Sequence, residues 1–198
     1  MKWLLCSGSP RRKDVLSMIL DDFFISIPEI AEKLDEKKLK KSLEKLAYDK
    51  AMEGYKNFNS KNGSQDFYDD EIFSIGCDTI VKVKNRILGK PEDENQWKSY
   101  LDLLSDNKHE VWSHVVVLKN EKKIISFLEK SKIWFRYISE PEKKRYILSG
   151  EGADAAGGYK IQGYGIVFTR KIRGSLSNVI GFPVEKFIKY YKSLSTKR

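Results

Sequence analysis

Apolar residues recur along this chain at two alternating periods. A short apolar run at 3–6 ends at Ser7-Gly8-Ser9-Pro10, after which Val15, Leu16, Ile19 and Leu20 follow helical spacing. The pattern predicts strand, tight turn and helix, with Ser9 as the N-cap and Pro10 as the first helical residue. Residues 23–27 read as a second strand. Leu39, Leu43, Leu46 and Ala47 form the apolar stripe of a long helix over about 35–55. The polar stretch 57–71, with Ser60, Gly63, Ser64 and the acids Asp69, Asp70 and Glu71, predicts a mobile loop.

Residues 72–83 are the most strand-like stretch, and Lys84-Asn85-Arg86 turns the chain toward Ile87 and Leu88. A helix is predicted over 92–104, with Trp97, Leu101 and Leu104 on one side. Three strands are predicted at 111–118, 123–128 and 132–138, the first two joined at Asn120-Glu121. A short helix over 140–148, a glycine-rich, flexible, substrate-facing loop over 150–165 and a terminal helix over about 184–191 complete the chain. There is no internal repeat and no heptad pattern. Strands and helices interleave throughout, which predicts an α/β or mixed α+β layered fold around a sheet, a single domain over 1–198 without a clean boundary.

The 198 residues are 40% hydrophobic and 33% charged, the composition of a soluble globular chain. No apolar stretch approaches the length of a membrane span. The first apolar run meets Ser7, Arg11 and Arg12 too soon for a signal peptide, so cytoplasmic residence and no membrane partner are expected. A net charge of +9 favours anionic partners but does not choose among nucleic acid, phosphorylated metabolites and acidic surfaces. Much of it comes from lysines at 37–45 and 186–192, on the outer faces of amphipathic helices. Cys6 and Cys77 lie in apolar runs and are expected as buried, reduced thiols without metal-ligand spacing. His109 and His114, five apart on a strand, face different sides and make a poor metal pair.

Three features resist a purely structural reading. Arg11 and Arg12 sit in the first turn of a helix, where they oppose the helix dipole. Either they are solvated on an ordinary capped turn, or an anion sits between them at the free N–H groups. Asp78 stands within Ile75-Gly76-Cys77-Asp78-Thr79-Ile80-Val81, where a carboxylate is costly unless paired or metal-bound. It either faces outward on a half-exposed strand or lies on the floor of a cleft. Lys50, near the centre of the apolar stripe, either snorkels outward or points at something anionic. Lys90, between Gly89 and Pro91, is a weaker hint of the same kind.

In this order, these segments resemble the Maf family of nucleotide pyrophosphatases, over nearly the whole chain. The resemblance rests on Ser7-Gly8-Ser9-Pro10-Arg11-Arg12, Leu46-Ala47 with Lys50-Ala51, Asp78-Thr79-Ile80-Val81, Leu88-Gly89-Lys90-Pro91 and His109-Glu110-Val111. It continues through Gly150-Glu151, Asp154, Gly157-Gly158-Tyr159, Ile161-Gln162-Gly163 and Gly174-Ser175 up to Pro183.

The resemblance implies an elongated α/β fold, a mixed sheet flanked by helices with two lobes around a central cleft, related to the inosine triphosphate pyrophosphatases. It implies hydrolysis of a nucleoside triphosphate between the α- and β-phosphates, dependence on Mg²⁺ or Mn²⁺, a common homodimeric state and an association with septum formation. By position, Asp78 matches the catalytic carboxylate, assigned as proton acceptor. Ser7, Arg11, Arg12, Glu32, Lys50 and Lys90 match the surrounding active-site set, with Glu32 and Asp78 the natural metal ligands. Arg11, Thr79 and Gln162 match positions linked to substrate choice. Thr after the catalytic Asp marks the branch acting on dTTP and UTP, and the Gln162 amide suits the carbonyl and N–H edge of uracil or thymine.

The chain departs from the family pattern in places. Ala155 stands where many relatives have Lys, which removes a cation that Lys160 partly replaces. Gly152 and Ala31 replace a Pro and an Asp, and the 57–71 loop is longer than usual. Two other readings remain at this stage: the same chemistry on a modified purine such as 7-methyl-GTP, and a non-catalytic nucleotide- or RNA-binding regulator of cell division. No specific nucleic-acid partner is expected.

Overall fold

The structure is a computed structural model that describes residues 2–31, 33–62 and 71–195. In chain order its elements are β1 (Lys2–Cys6), α1 (Pro10–Leu16), β2 (Phe24–Ile25), α2 (Leu39–Asn62), β3 (Ile72–Val83), β4 (Arg86–Leu88), α3 (Glu94–Leu104), β5 (Lys108–Lys119), β6 (Lys122–Phe135), α4 (Glu140–Leu148), β7 (Thr169–Arg173), α5 (Leu176–Ile180) and α6 (Val184–Ser195). Short 3₁₀ turns lie at Glu36–Lys38, Ala156–Gly158 and Tyr164–Phe168.

The strands form one mixed sheet in the order β2-β1-β3-β5-β6-β7, with β4 paired to β3. β1 runs parallel to both β2 and β3, whereas β4 is antiparallel to β3 and β7 to β6. The α/β class expected from the interleaved pattern is the observed one.

Several boundaries differ from the sequence pattern. The runs at 123–128 and 132–138 join in a single strand, β6, which ends at Phe135; the polar residues between them stay in the strand, with Ser131 and Ile133 buried on one face and Lys130 exposed on the other. The long helix starts later and ends later than expected. Residues 57–62, expected as loop, continue α2, and Phe58 is buried against Leu4, Cys6 and Ile72. Residues 63–70 of that expected loop lie outside the described residues. Only Phe24 and Ile25 of the 23–27 run pair as strand.

The chain groups into two compact units. One comprises Met1–Asp78, Ser113–Glu129 and Gly181–Arg198, and the other Thr79–Trp112 and Lys130–Ile180.

In the first unit, α2 lies on the sheet through small residues. An added Cβ at Gly76 of β3 would stand 1.9 Å from the Ala47 carbonyl oxygen, and one at Gly54 of α2 would stand 2.4 Å from the Cys6 sulfur. Helix backbone and strand backbone therefore approach far more closely than larger side chains would allow. The other side of the strands packs on aromatics, with the Trp3 ring centroid 5.0 Å from Phe73 and 5.9 Å from Phe187. Both cysteines are free and buried, as expected, and burial pushes the Cys6 thiol up to about 12.

The core of the second unit forms where α3 and α4 cover one face of the sheet, with Val81, Trp97, Leu101, Val111, Ile133 and Phe135 among its buried residues. The glycine-rich stretch 150–165, expected as a flexible loop, instead contributes Tyr159 and Ile161 to this core. Gly157 and Gly158 take φ values of 75° and 70°, a left-handed backbone that folds the segment inward.

The Gly76 contact generates a stability prediction. Gly76→Ala forces a methyl against a backbone carbonyl that no rotamer can move, so urea denaturation should show a loss of about 3 kcal/mol.

Candidate active site

Alternate residues of β3 share a face, so Gly76 and Asp78 point the same way. Gly76 meets Ala47 and Ala51 of α2. Lys50, on the same stripe of that helix, reaches across so that its Nζ donates to Asp78 Oδ1 in a short, buried ion pair. Each of the two residues is only 6% exposed. The alternatives left open by the sequence are thereby decided: Lys50 does not snorkel, and Asp78 does not face outward. The pairing itself was not anticipated. Its signal was present, since Gly-x-Asp on one strand face marks where a helix approaches, and Ala47, Ala51 and Gly54 mark the helix face that does so.

The turn after β1 leaves the sheet at the same end. Cys6 pairs in register with Gly76, which carries Ser7 alongside Cys77. Ser7 is buried, and its Oγ accepts from the Ser9 N–H at 3.2 Å and from Arg12 Nη1 at 3.1 Å. Arg12 Nε donates to the Gly181 carbonyl at 3.1 Å. The guanidinium is thus fixed by the turn and by the stretch between α5 and α6. Ser9 occupies the N-cap position of α1 with extended backbone and Pro10 leads the helix, but no Ser9 side-chain bond caps it. The turn is closed by the Ser7 hydroxyl instead. Arg11 and Arg12 are both half-buried, and α1 has no acid in its first turn to offset them. Two guanidinium groups at this end of the helix oppose its dipole, and guanidinium is a good partner for phosphate oxygens.

The remaining expected site residues fall in the second unit. Thr79 follows Asp78 in β3 and is half-buried. Lys90, just after β4, is exposed, and the neighbouring Gly89 carbonyl accepts from the Gly157 N–H at 2.8 Å. Gln162 is exposed in a turn. Lys160, the cation expected to stand in for the one absent at Ala155, is paired with Asp154 at 2.7 Å, and Ala155 is buried.

Glu32 lies outside the described residues. Among the described residues no group of three or more His, Cys, Asp or Glu side chains is placed to hold a metal ion. The Asp78 carboxylate fits a hard, hydrated divalent cation, because Mg²⁺ takes one or two carboxylates and completes its shell with water and phosphate oxygens.

The two histidines take structural roles. His109 Nε2 and the Tyr159 hydroxyl hydrogen-bond at 2.8 Å, and His114 Nε2 pairs with Ser126 Oγ at 2.9 Å. Burial lowers His109 to about 3 and His114 to about 4.

An α/β sheet with a buried carboxylate–ammonium pair beside an arginine-bearing turn has the parts of a phosphate-handling protein. The Maf-like protein family model matches residues 2–194, and the chain belongs to that family. A relative from Clostridium acetobutylicum named dTTP/UTP pyrophosphatase is 41% identical over 192 residues, 96% of each chain. Proteins of the same name from Bacillus cereus and a Thermoanaerobacter species are 36% and 33% identical, covering 96% and 97% of this chain and 94% and 96% of their own lengths.

Two predictions follow from these contacts. Lys50→Met leaves a buried carboxylate without its partner and should cost about 3–5 kcal/mol in chemical denaturation, much of it recovered by adding Asp78→Asn. Both histidines stay neutral in the folded state, whereas the unfolded chain protonates them below about 6.5. The unfolded state then binds more protons, so stability should fall as pH drops from about 6.5 toward 4. Urea midpoints at pH 7 and 5 measure this, and a histidine NMR signal titrating near 6.5 in the folded protein would contradict it.

Proposed function

We propose that this protein hydrolyses dTTP and UTP to the nucleoside monophosphate and pyrophosphate. The observation that carries this reading is the buried Lys50–Asp78 pair, midway along β3 and beside the end of β1, where the turn bearing Ser7, Arg11 and Arg12 begins. The end-to-end similarity to relatives named for that activity supports it.

In this reading, water attacks phosphorus, the bond between the α- and β-phosphates breaks, and pyrophosphate departs. Asp78 accepts the proton from the attacking water. Lys50 holds the carboxylate in place and places its ammonium close to where phosphate charge builds up. Arg12, its plane set by the Ser7 hydroxyl and the Gly181 carbonyl, and Arg11 beside it contact phosphate oxygens. Lys90 adds a further cation. Preorganised charge of this kind supplies most of the help that phosphoryl transfer needs.

Asp78 with Glu32 would hold Mg²⁺ or Mn²⁺, which when bound supplies Lewis-acid neutralisation of the triphosphate. Thr79, directly after Asp78, and the Gln162 amide select the pyrimidine. We extend the proposal, on the family resemblance alone, to a cytoplasmic homodimer that acts on nucleotides without a specific nucleic-acid partner. Among the described residues no helix is long and apolar enough to cross a membrane.

Purified protein with Mg²⁺ or Mn²⁺ should release pyrophosphate from UTP and dTTP, and EDTA should stop it. Asp78→Asn should lower kcat by about 10²–10⁴-fold. A side-by-side nucleotide panel tests the substrate: faster turnover of 7-methyl-GTP than of either pyrimidine would overturn the assignment of Thr79 and Gln162.

A further inference from the structure

The turn that carries Gln162 is anchored in the core by Ile161 just before it, and its backbone N–H groups are gripped by a single carboxylate. Glu151 Oε2 accepts the Tyr164 N–H at 2.8 Å, and Oε1 accepts the Gly165 N–H at 3.3 Å and the Tyr146 hydroxyl at 3.2 Å. The same Tyr146 oxygen accepts the Lys160 N–H at 3.0 Å. Residues on both sides of Gln162 are therefore tied, through backbone N–H groups, to one acid–phenol pair. The fit is close: a Cβ on Gly163 would stand 2.5 Å from the Glu151 carboxyl carbon. Tyr146 is buried in the core and rigidly placed by Trp97 and Phe168, whose ring centroids lie 5.8 and 5.1 Å from its own. Burial raises the phenol's pKa, so it remains protonated and can donate to Glu151.

Telling uracil or thymine from cytosine depends on which way a donor and an acceptor point, and such recognition tolerates only small displacements. An exposed amide on an untethered turn would lose that discrimination. We infer that Glu151 is a specificity-positioning residue: by clamping the 160–165 turn against Tyr146, it sets the orientation in which Gln162 meets the pyrimidine edge. The inference rests on the proposed role of Gln162. It assigns Glu151 no contact with substrate and no part in the chemical step.

The isosteric variant Glu151→Gln keeps the volume beside Gly163 but replaces one acceptor oxygen with an NH₂ that faces N–H donors. Steady-state pyrophosphate release from UTP, dTTP and CTP is measured for wild type, Glu151→Gln, Gln162→Ala and the double variant, with thermal melting of each. For Glu151→Gln the preference for UTP over CTP should narrow about tenfold, through KM, with kcat for UTP within about twofold of wild type. Gln162→Ala should narrow the preference similarly, and the double variant should be no worse than Gln162→Ala alone. If Gln162→Ala loses the preference and a folded Glu151→Gln keeps it, Glu151 does not position the turn. If Gln162→Ala keeps the preference, the reading of Gln162 itself fails, which is a separate result. Should Glu151→Gln not fold, Tyr146→Phe removes the hydroxyl from the clamp and leaves the ring. An unchanged preference in that variant overturns the inference.

Discussion

A lysine and an aspartate buried together set the terms for the first unit of this molecule. Neither charge could remain there alone, because an unpaired ion in a packed interior costs several kcal/mol. Their meeting requires α2 to lie almost in backbone contact with β3. That approach exists because Gly76 presents no side chain and Ala47 and Ala51 present small ones, while Gly54 lets the same helix close on Cys6 of β1. Packing and electrostatics are thus one constraint: the small residues bring the helix down, and the descent delivers the ammonium to the carboxylate.

The arginine-bearing turn uses a related economy of contacts. Its backbone is closed by the Ser7 hydroxyl, which also receives Arg12, and Arg12 is held again by the Gly181 carbonyl. That carbonyl lies within 3.5 Å of the Cys77 sulfur as well, so the residue next to Asp78 and the guanidinium share one acceptor. Segments distant in the chain are tied here through one backbone oxygen. Such acceptors keep their place when side chains vary.

In the second unit the glycine-rich segment does the opposite of what its composition suggests. Glycine lowers the barrier to unusual backbone, and an isolated stretch would stay mobile. Here two left-handed glycines turn the chain so that Tyr159 reaches His109 and the Trp97 indole donates to the Gly158 carbonyl at 2.6 Å. Flexibility of sequence is spent on reaching a specific conformation, and aromatic packing then holds it.

The sequence alone determined the α/β class, the strand at 72–83, the helix at 140–148, the buried thiols and the set of charged residues worth watching, because periodicity and the cost of burying charge act locally. It showed that Asp78 and Lys50 were each out of place. That they answer one another was decided only by tertiary structure, since their contact spans 28 positions and depends on the angle at which a helix meets a strand. For the same reason the 150–165 segment could not be read: whether glycines loosen or tighten a chain depends on what packs against them. The unity of β6 likewise escaped the pattern, because burial on one face of a strand is set by its neighbours in the sheet.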